Sequence, residues 1–311
     1  MQKGGVRMGN IIQVDHFTKK YGDLIAVDDI SFQVEQGTVF AFLGPNGAGK
    51  STTINTLCTI QSKTEGKLEI NGHDVEKQQN KVRRDIGIVF QESTLDAKLT
   101  VEQNLRLHCR FYSVPKNEIA ERIGFVLKLV GLEDWKRAPV GSLSGGMKRR
   151  VEIARGLIHF PKVLFLDEPT AGLDPQTRAG VWDYIKEVQR QKGITIFLTT
   201  HTMEEAEIAA SVAIIDHGKI VAYNTPDRLK SEFSHLSVRI QTKEPDKIEA
   251  YLNDNRVKNE RDQGYIRAYI KDAPQAMEVL CRFKKDIEDF EVNKGSLNDV
   301  FLAVTGREIR E

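Results

Sequence analysis

Short, almost wholly apolar runs alternate along the first 230 or so residues with segments whose apolar positions recur at helical spacing. The runs read as strands over residues 11–17, 30–34, 39–43, 67–70, 86–90, 163–167, 194–200 and 212–215. IGIVF, VLFLD and ITIFLTT contain hardly a polar residue, as strands buried on both faces do. Strands alternating with helical patterns predict an α/β domain over residues 11–230, with a largely parallel sheet and flanking helices. Between Gln91 and Pro161 the texture turns helical, with apolar spacing over 100–112, 116–132 and 144–160, so a helical subdomain is expected at about 91–161. From about Ser234 the chain is charge-rich. SVRIQT, a short helix near 246–252, a hairpin at 256–270 and a helix at 274–283 predict a small α+β appendage over 234–311.

The length, 311 residues, suits one large or two medium domains. Forty-five Lys+Arg against 44 Asp+Glu leave a net charge of +1, which argues against whole-chain attraction to nucleic acid or to an anionic membrane face. No apolar stretch approaches the ~20 residues a membrane-spanning helix needs, and MQKGGVRMGN has no apolar core that could serve as a secretory signal. Cys58, Cys109 and Cys281 are odd in number and widely spaced. They read as reduced thiols of a cytosolic protein, packed in the core.

After the strand VFAFL comes Gly44-Pro45-Asn46-Gly47-Ala48-Gly49-Lys50-Ser51-Thr52. This is the G-x-x-x-x-G-K-[ST] phosphate loop in its required context, an apolar strand before and a helical pattern after. Glycines let backbone N–H groups turn inward around a phosphate, and the helix N-terminus adds positive potential. Lys50 is the point charge for β- and γ-phosphates, and Ser51 a hydroxyl ligand for Mg²⁺. A glycine-rich strand-to-helix turn without function is the weaker alternative.

The strand VLFLD ends in Asp167 and Glu168. Ligands of open α/β sheets sit beyond the carboxyl ends of strands. Asp167 is therefore expected to reach the Mg²⁺ shell through water, and Glu168 to polarise the attacking water as general base.

Between these motifs lies Leu143-Ser144-Gly145-Gly146-Met147, and with it the sequence resembles the nucleotide-binding subunits of ABC transporters. In that family the LSGGQ helix start binds the γ-phosphate of ATP held by the other subunit of a head-to-tail dimer. The family's Gln is Met147 here, which preserves the backbone donors but no side-chain contact from that position. The resemblance implies roles for further residues. Tyr21, 23 residues before Gly44, would stack on adenine. Gln91 would touch Mg²⁺ and water and face the membrane partner. Asp174, in AGLDP, would cross the dimer interface, and His201 would sit at the γ-phosphate as the switch histidine. It also implies ATP and Mg²⁺ as cofactors, a second copy and a transmembrane permease as partners, and a peripheral position on the cytoplasmic face of the membrane.

LSGGM, the Lys148-Arg149-Arg150 that follows, and the tail SLNDVFLAVTGR resemble the daunorubicin-resistance branch of type 2 exporters. That implies export of a drug-like or lipid-like substrate, with the appendage stabilising or regulating the dimer. The basic run itself reads as a solvated helix face rather than a nucleic-acid patch. The rival reading is a soluble ABC-type ATPase of nucleic acid or ribosomes. It is disfavoured because the stretch between phosphate loop and signature holds neither heptads nor a CxxC, and only one cassette is present.

Overall fold

The computed structural model describes residues 9–234, 236–262, 264–293 and 295–306. The chain divides into two compact units at Tyr223/Asn224.

In the first unit the elements are β1 (Asn10–Tyr21), β2 (Leu24–Glu35), β3 (Val39–Leu43), α1 (Lys50–Leu57), β4 (Glu65–Ile70), β5 (His73–Asp74), α2 (Gln79–Asp85), β6 (Ile86–Val89), α3 (Val101–Phe111), α4 (Ile119–Leu129), α5 (Gly145–Leu157), β7 (Val163–Asp167), α6 (Pro175–Lys192), β8 (Thr195–Thr200), α7 (Met203–Ala206), β9 (Ser211–Asp216) and β10 (Lys219–Asn224). A six-stranded sheet runs β10-β9-β3-β8-β7-β6, and from β9 to β6 every pairing is parallel. Two of the three runs expected to be buried on both faces are so, every residue of β7 and β8 being buried, whereas Ile88 and Phe90 of the IGIVF run are half-buried. A second sheet, β2-β1-β4-β5, is antiparallel. Its long β1–β2 hairpin extends well beyond the two short strands the apolar pattern predicts.

Phenylalanines join the two sheets. Phe32 of β2 stacks on Phe40 of β3 at 5.3 Å, Phe40 meets Phe197 of β8 at 4.9 Å, and Phe197 meets Phe165 of β7 at 5.2 Å. Burying each such ring stabilises the fold by about 1.5–3 kcal/mol. They fix β3, β7 and β8 side by side, and these strands carry the motifs.

The helical insertion forms as its caps dictate. Thr100 and Gln103 make a capping box at the start of α3, and Ser144 caps α5 by accepting from the N–H of Met147. Helix α5 lies directly on β6: a Cβ at Gly87 would stand 2.1 Å from the carbonyl oxygen of Gly156, so this crossing admits only glycine.

In the second unit follow α8 (Pro226–Phe233), β11 (Leu236–Thr242), α9 (Pro245–Asp254), β12 (Asn259–Asp262), β13 (Tyr265–Ile270), α10 (Ala273–Arg282), β14 (Ile287–Asn293) and α11 (Leu297–Thr305). The antiparallel sheet β12-β13-β11-β14, with α9 and α10 as crossovers, is a split βαβ arrangement. Val238, Ile240, Ile266, Ile248 and Val279 are in its core. Helix α8 packs on α11, which moves the division some ten residues earlier than the composition change near Ser234 suggests. Cys58 and Cys109 are buried as expected, but Cys281 is exposed on α10 rather than packed in a core. Among the described residues no helix is long and apolar enough to cross a membrane.

Two histidines of the helical insertion flank Tyr112. His159 stacks on its ring at 3.6 Å and His108 lies at 5.1 Å. Burial, assisted by Arg155 at the first and Arg122 at the second, lowers His108 from 6.5 to about 3 and His159 from 6.5 to about 4. As pH falls below 6.5 the unfolded chain takes up protons that the folded chain refuses, so stability declines down to about pH 4 for His159 and about pH 3 for His108. The urea midpoint should therefore drop between about pH 7 and about pH 5. The drop should be shallower in a His108→Gln/His159→Gln double variant; equal slopes would rule these two groups out as its source.

Candidate active site

The phosphate loop leaves β3 at Gly44 and enters α1 at Lys50. Gly49 sits at φ 109°, and a Cβ there would stand 2.7 Å from the carbonyl oxygen of Ala26, so the loop closes only around glycine. Lys50 is 4% exposed. Its Nζ curls back over its own loop, donating to the carbonyls of Gly44 at 2.7 Å and Pro45 at 3.1 Å. Burial lowers its pKa, and the charges of Glu168 and Asp167 oppose that shift.

Parallel register brings the remaining strand ends to the same rim. Leu43 pairs with Thr200, Asp167 with Thr199, and Val89 with Leu166. Just past these ends stand the loop, His201, Glu168 and Gln91. Glu168, 8% exposed, is where they converge. Its Oε1 lies 3.3 Å from Lys50 Nζ. Its Oε2 accepts from Gln91 Nε2 at 3.3 Å and lies 3.3 Å from His201 Nδ1. The residue holds φ 44°, a left-handed conformation that costs a glutamate about 1–3 kcal/mol. The surroundings enforce it: the Glu168 N–H donates to the Thr199 carbonyl and Oγ1, both at 3.2 Å. Asp167 accepts from the Thr199 hydroxyl.

Residues 45–47 and 49–52, with Gln91 and Glu168, line one cavity of about 160 Å³. Gly44 supplies a carbonyl to Lys50, and Ala48 is buried behind the loop. Other candidates stand apart from this cavity. Tyr21 is 44% exposed at the end of β1, where its hydroxyl bonds Gln61 and Lys19 Nζ lies 4.8 Å from its ring centroid. Ser144 and Gly145 are exposed at the start of α5. Gly146 is buried there, its missing side chain leaving room for Thr177 of α6. Asp174 caps α6 from an exposed position, accepting from the Thr177 N–H at 3.0 Å, and that residue's hydrogen bonds hold its carboxyl below the usual range.

The basic run after the signature is not a solvated face. Arg149 is 7% exposed and donates to the carbonyls of Asp167 and Glu168, while Arg150 is half-buried on the Val130 carbonyl and the Tyr184 hydroxyl. Arg149 and Thr199 are the site residues that motif reading passes over. The signal available was a charged i, i+3, i+6 stripe, Arg149, Glu152 and Arg155, among apolar neighbours on a helix bordered by motifs.

Around Glu168 a cation, an amide donor and an imidazole gather beside the glycine-rich loop at the start of α1, an arrangement suited to binding polyphosphate and to taking a proton from water. A family model described as ABC transporter matches residues 27–171. The daunorubicin resistance ATP-binding protein DrrA3 of Streptomyces coeruleorubidus is 36% identical, over 96% of this chain and 97% of its own. The Nod factor export ATP-binding protein I of Ralstonia nicotianae is 35% identical, over 99% of this chain and 97% of its own. A solved dimeric, post-hydrolysis state of the ATP-binding cassette MJ0796, bound to ADP and Pi, superposes with a TM-score of 0.62 at 28% identity, covering 69% of this chain and 98% of that one. The chain thus belongs to the ATP-binding proteins of ABC transporters, on the side of the daunorubicin-resistance branch, and is an ATP-hydrolysing enzyme.

Proposed function

We propose that the chain is the motor of an exporter, coupling ATP hydrolysis to passage of a drug-like or lipid-like substrate through a separate transmembrane permease. The convergence of Lys50, Gln91 and His201 on Glu168 carries the catalytic part of this reading. Likeness to export ATP-binding proteins along nearly the whole chain, second unit included, supports the export part.

In this reading the loop N–H groups and Lys50 hold the β- and γ-phosphates, and Tyr21 stacks on adenine. A triphosphate draws Lys50 Nζ off Glu168 and leaves that carboxylate oxygen free to meet the attacking water. Glu168 takes the proton of the attacking water as its oxygen bonds to the γ-phosphorus and the bond to the β-phosphate oxygen breaks, releasing ADP and phosphate. His201 and Gln91 keep the carboxylate aimed. Among the described residues no three His, Cys, Asp or Glu side chains cluster as a metal site. A hydroxyl, an amide and a carboxylate from Ser51, Gln91 and Asp167 instead suit a hard Mg²⁺ ion that takes its other ligands from phosphate and water. That ion supplies charge neutralisation on the phosphates.

Ser144 and Gly145, both exposed, and the buried Gly146 behind them form a second anion site at a helix N-terminus, ready to receive the nucleotide of another copy, with Asp174 beside it at the crossing. This supports a head-to-tail dimer. A groove of about 860 Å³ is lined among others by Ile60, Arg83, Phe111, Tyr112 and Phe90, the residue before Gln91. Phe111 there is 71% exposed, an apolar landing place for the permease. The net charge of +1 fits peripheral attachment to the cytoplasmic face through that protein, with no direct role for nucleic acid.

Glu168→Gln should lower kcat about 100-fold or more while ATP affinity stays, and should leave an ATP-bound dimer on size-exclusion chromatography; normal turnover would remove Glu168 as the base. Lys50→Ala should weaken ATP binding at least about tenfold in a calorimetric titration, and unimpaired affinity would contradict the loop assignment. A tagged chain should co-purify a multi-span membrane protein from detergent extracts; sedimentation with ribosomes instead would point to the soluble rival.

A further inference from the structure

Arg149 lies on the second turn of α5, and all five of its N–H groups have partners. Nε donates to the Pro169 carbonyl at 2.6 Å, Nη1 to the Phe90 carbonyl and to Glu152 Oε2 at 3.0 Å, and Nη2 to the carbonyls of Asp167 at 3.0 Å and Glu168 at 3.1 Å. Four of the acceptors are backbone oxygens, drawn from Phe90 just past β6, from the last residue of β7 and from the turn that follows it. Two further side chains of the same helix face continue the ladder. Glu152 Oε1 accepts from the Thr94 N–H at 2.9 Å, and Arg155 Nη1 donates to the Thr94 hydroxyl. The loop carrying Gln91 is therefore pinned at both ends, Phe90 and Thr94, to the helix that begins at Ser144.

Adhesion of α5 to the sheet does not require these charges. Val151, Ile153, Ala154 and Leu157 are buried, and Gly156 meets Gly87 in direct contact. A buried ion pair adds little net stability compared with apolar packing of the same volume. What a planar five-donor fork adds is direction: it fixes where several carbonyls point, which neither an ammonium nor an aliphatic chain can do. One of those carbonyls belongs to Glu168, which holds a left-handed backbone.

We propose that Arg149 is a positioning residue which, through Glu152 and Arg155, locks the Gln91 loop and the Glu168 backbone to the Ser144 helix start, so that movement of α5 reaches the carboxylate and the loop together. The proposal rests on Glu168 being the base.

Arg149→Met alone strands the Glu152 carboxylate and should lower both the melting temperature and turnover. Arg149→Met combined with Glu152→Leu removes both charges from the interior. In the full-length chain this pair should melt near the wild-type temperature and keep its KM for ATP within about threefold, yet lose kcat about tenfold or more. Amide hydrogen exchange should quicken over residues 90–94 and 168–170 while β3 and β8 stay protected. Arg149→Lys keeps the charge opposite Glu152 but cannot serve four carbonyls, so it should recover stability without recovering kcat. If kcat instead rises and falls with melting temperature across the three variants, or the double variant turns over at the wild-type rate, Arg149 is structural only. A Glu168→Gln protein that still hydrolyses ATP would overturn the reading of the base instead, a result separable from either of these.

Discussion

A carboxylate as buried as Glu168, 8% exposed, is costly to keep ionised unless donors and cations surround it. The parallel sheet meets that requirement by geometry alone, because strands running in one direction end at one rim. The end of β3 delivers Lys50, that of β6 Gln91, that of β8 His201, and β7 carries the acid itself. The phenylalanines between the sheets hold the β3, β7 and β8 ends in register, and parallel pairing with β7 sets that of β6. The site is thus a consequence of strand order, and the strand order a consequence of which runs are apolar enough to be buried on both faces.

The same compensation continues inward. Lys50 faces Glu168, the Glu168 carbonyl receives Arg149, Arg149 faces Glu152, and Glu152 and Arg155 both reach Thr94. Charges of alternating sign run from the phosphate loop into the helical insertion, largely withdrawn from water, with Arg149 joined to Glu168 through its backbone carbonyl and Glu152 joined to Arg155 through Thr94. In the proposed reading a polyphosphate bound at one end takes Lys50 away from its partner. Glu168 then keeps Gln91 Nε2 and His201 as its side-chain neighbours and still faces the cavity. The proposed lock through Arg149 would carry such a change at the loop into the helical insertion.

Legibility followed how local the chemistry is. The phosphate loop and the acid pair are each set by a handful of consecutive residues, and each stands at the strand end where its spacing predicts, as α3 and α5 stand within the helical spacing over 100–112 and 144–160. Arg149 did not declare itself, because its acceptors are backbone carbonyls of three distant residues and of Phe90, and a carbonyl has no letter in a sequence. Helix α6 escaped for a different reason. Val181, Trp182, Ile185 and Val188 give it only a narrow buried stripe among charged positions. The unit boundary was misplaced because composition changes near Ser234, whereas packing is decided by α8 meeting α11, two helices at opposite ends of that unit's sequence. Cys281 on an amphipathic helix could face either way, and only the packed structure shows that it faces out.

Separation of the signature from the cavity has an energetic consequence under the proposed head-to-tail pairing. One chain presents Lys50 and Glu168 to its own nucleotide but offers Ser144 and Asp174 outward, so a complete site exists only when two copies meet. Closure is then a mass-action event whose extent depends on chain concentration and on bound ATP. A permease that holds two copies at a fixed spacing replaces that bimolecular step with an intramolecular one and supplies the effective concentration the isolated chain lacks. The Phe111 groove would in that arrangement do more than anchor the motor. By setting the distance between copies it would also govern how often Glu168 meets a closed site, and the membrane protein would be part of the ATPase as much as its load.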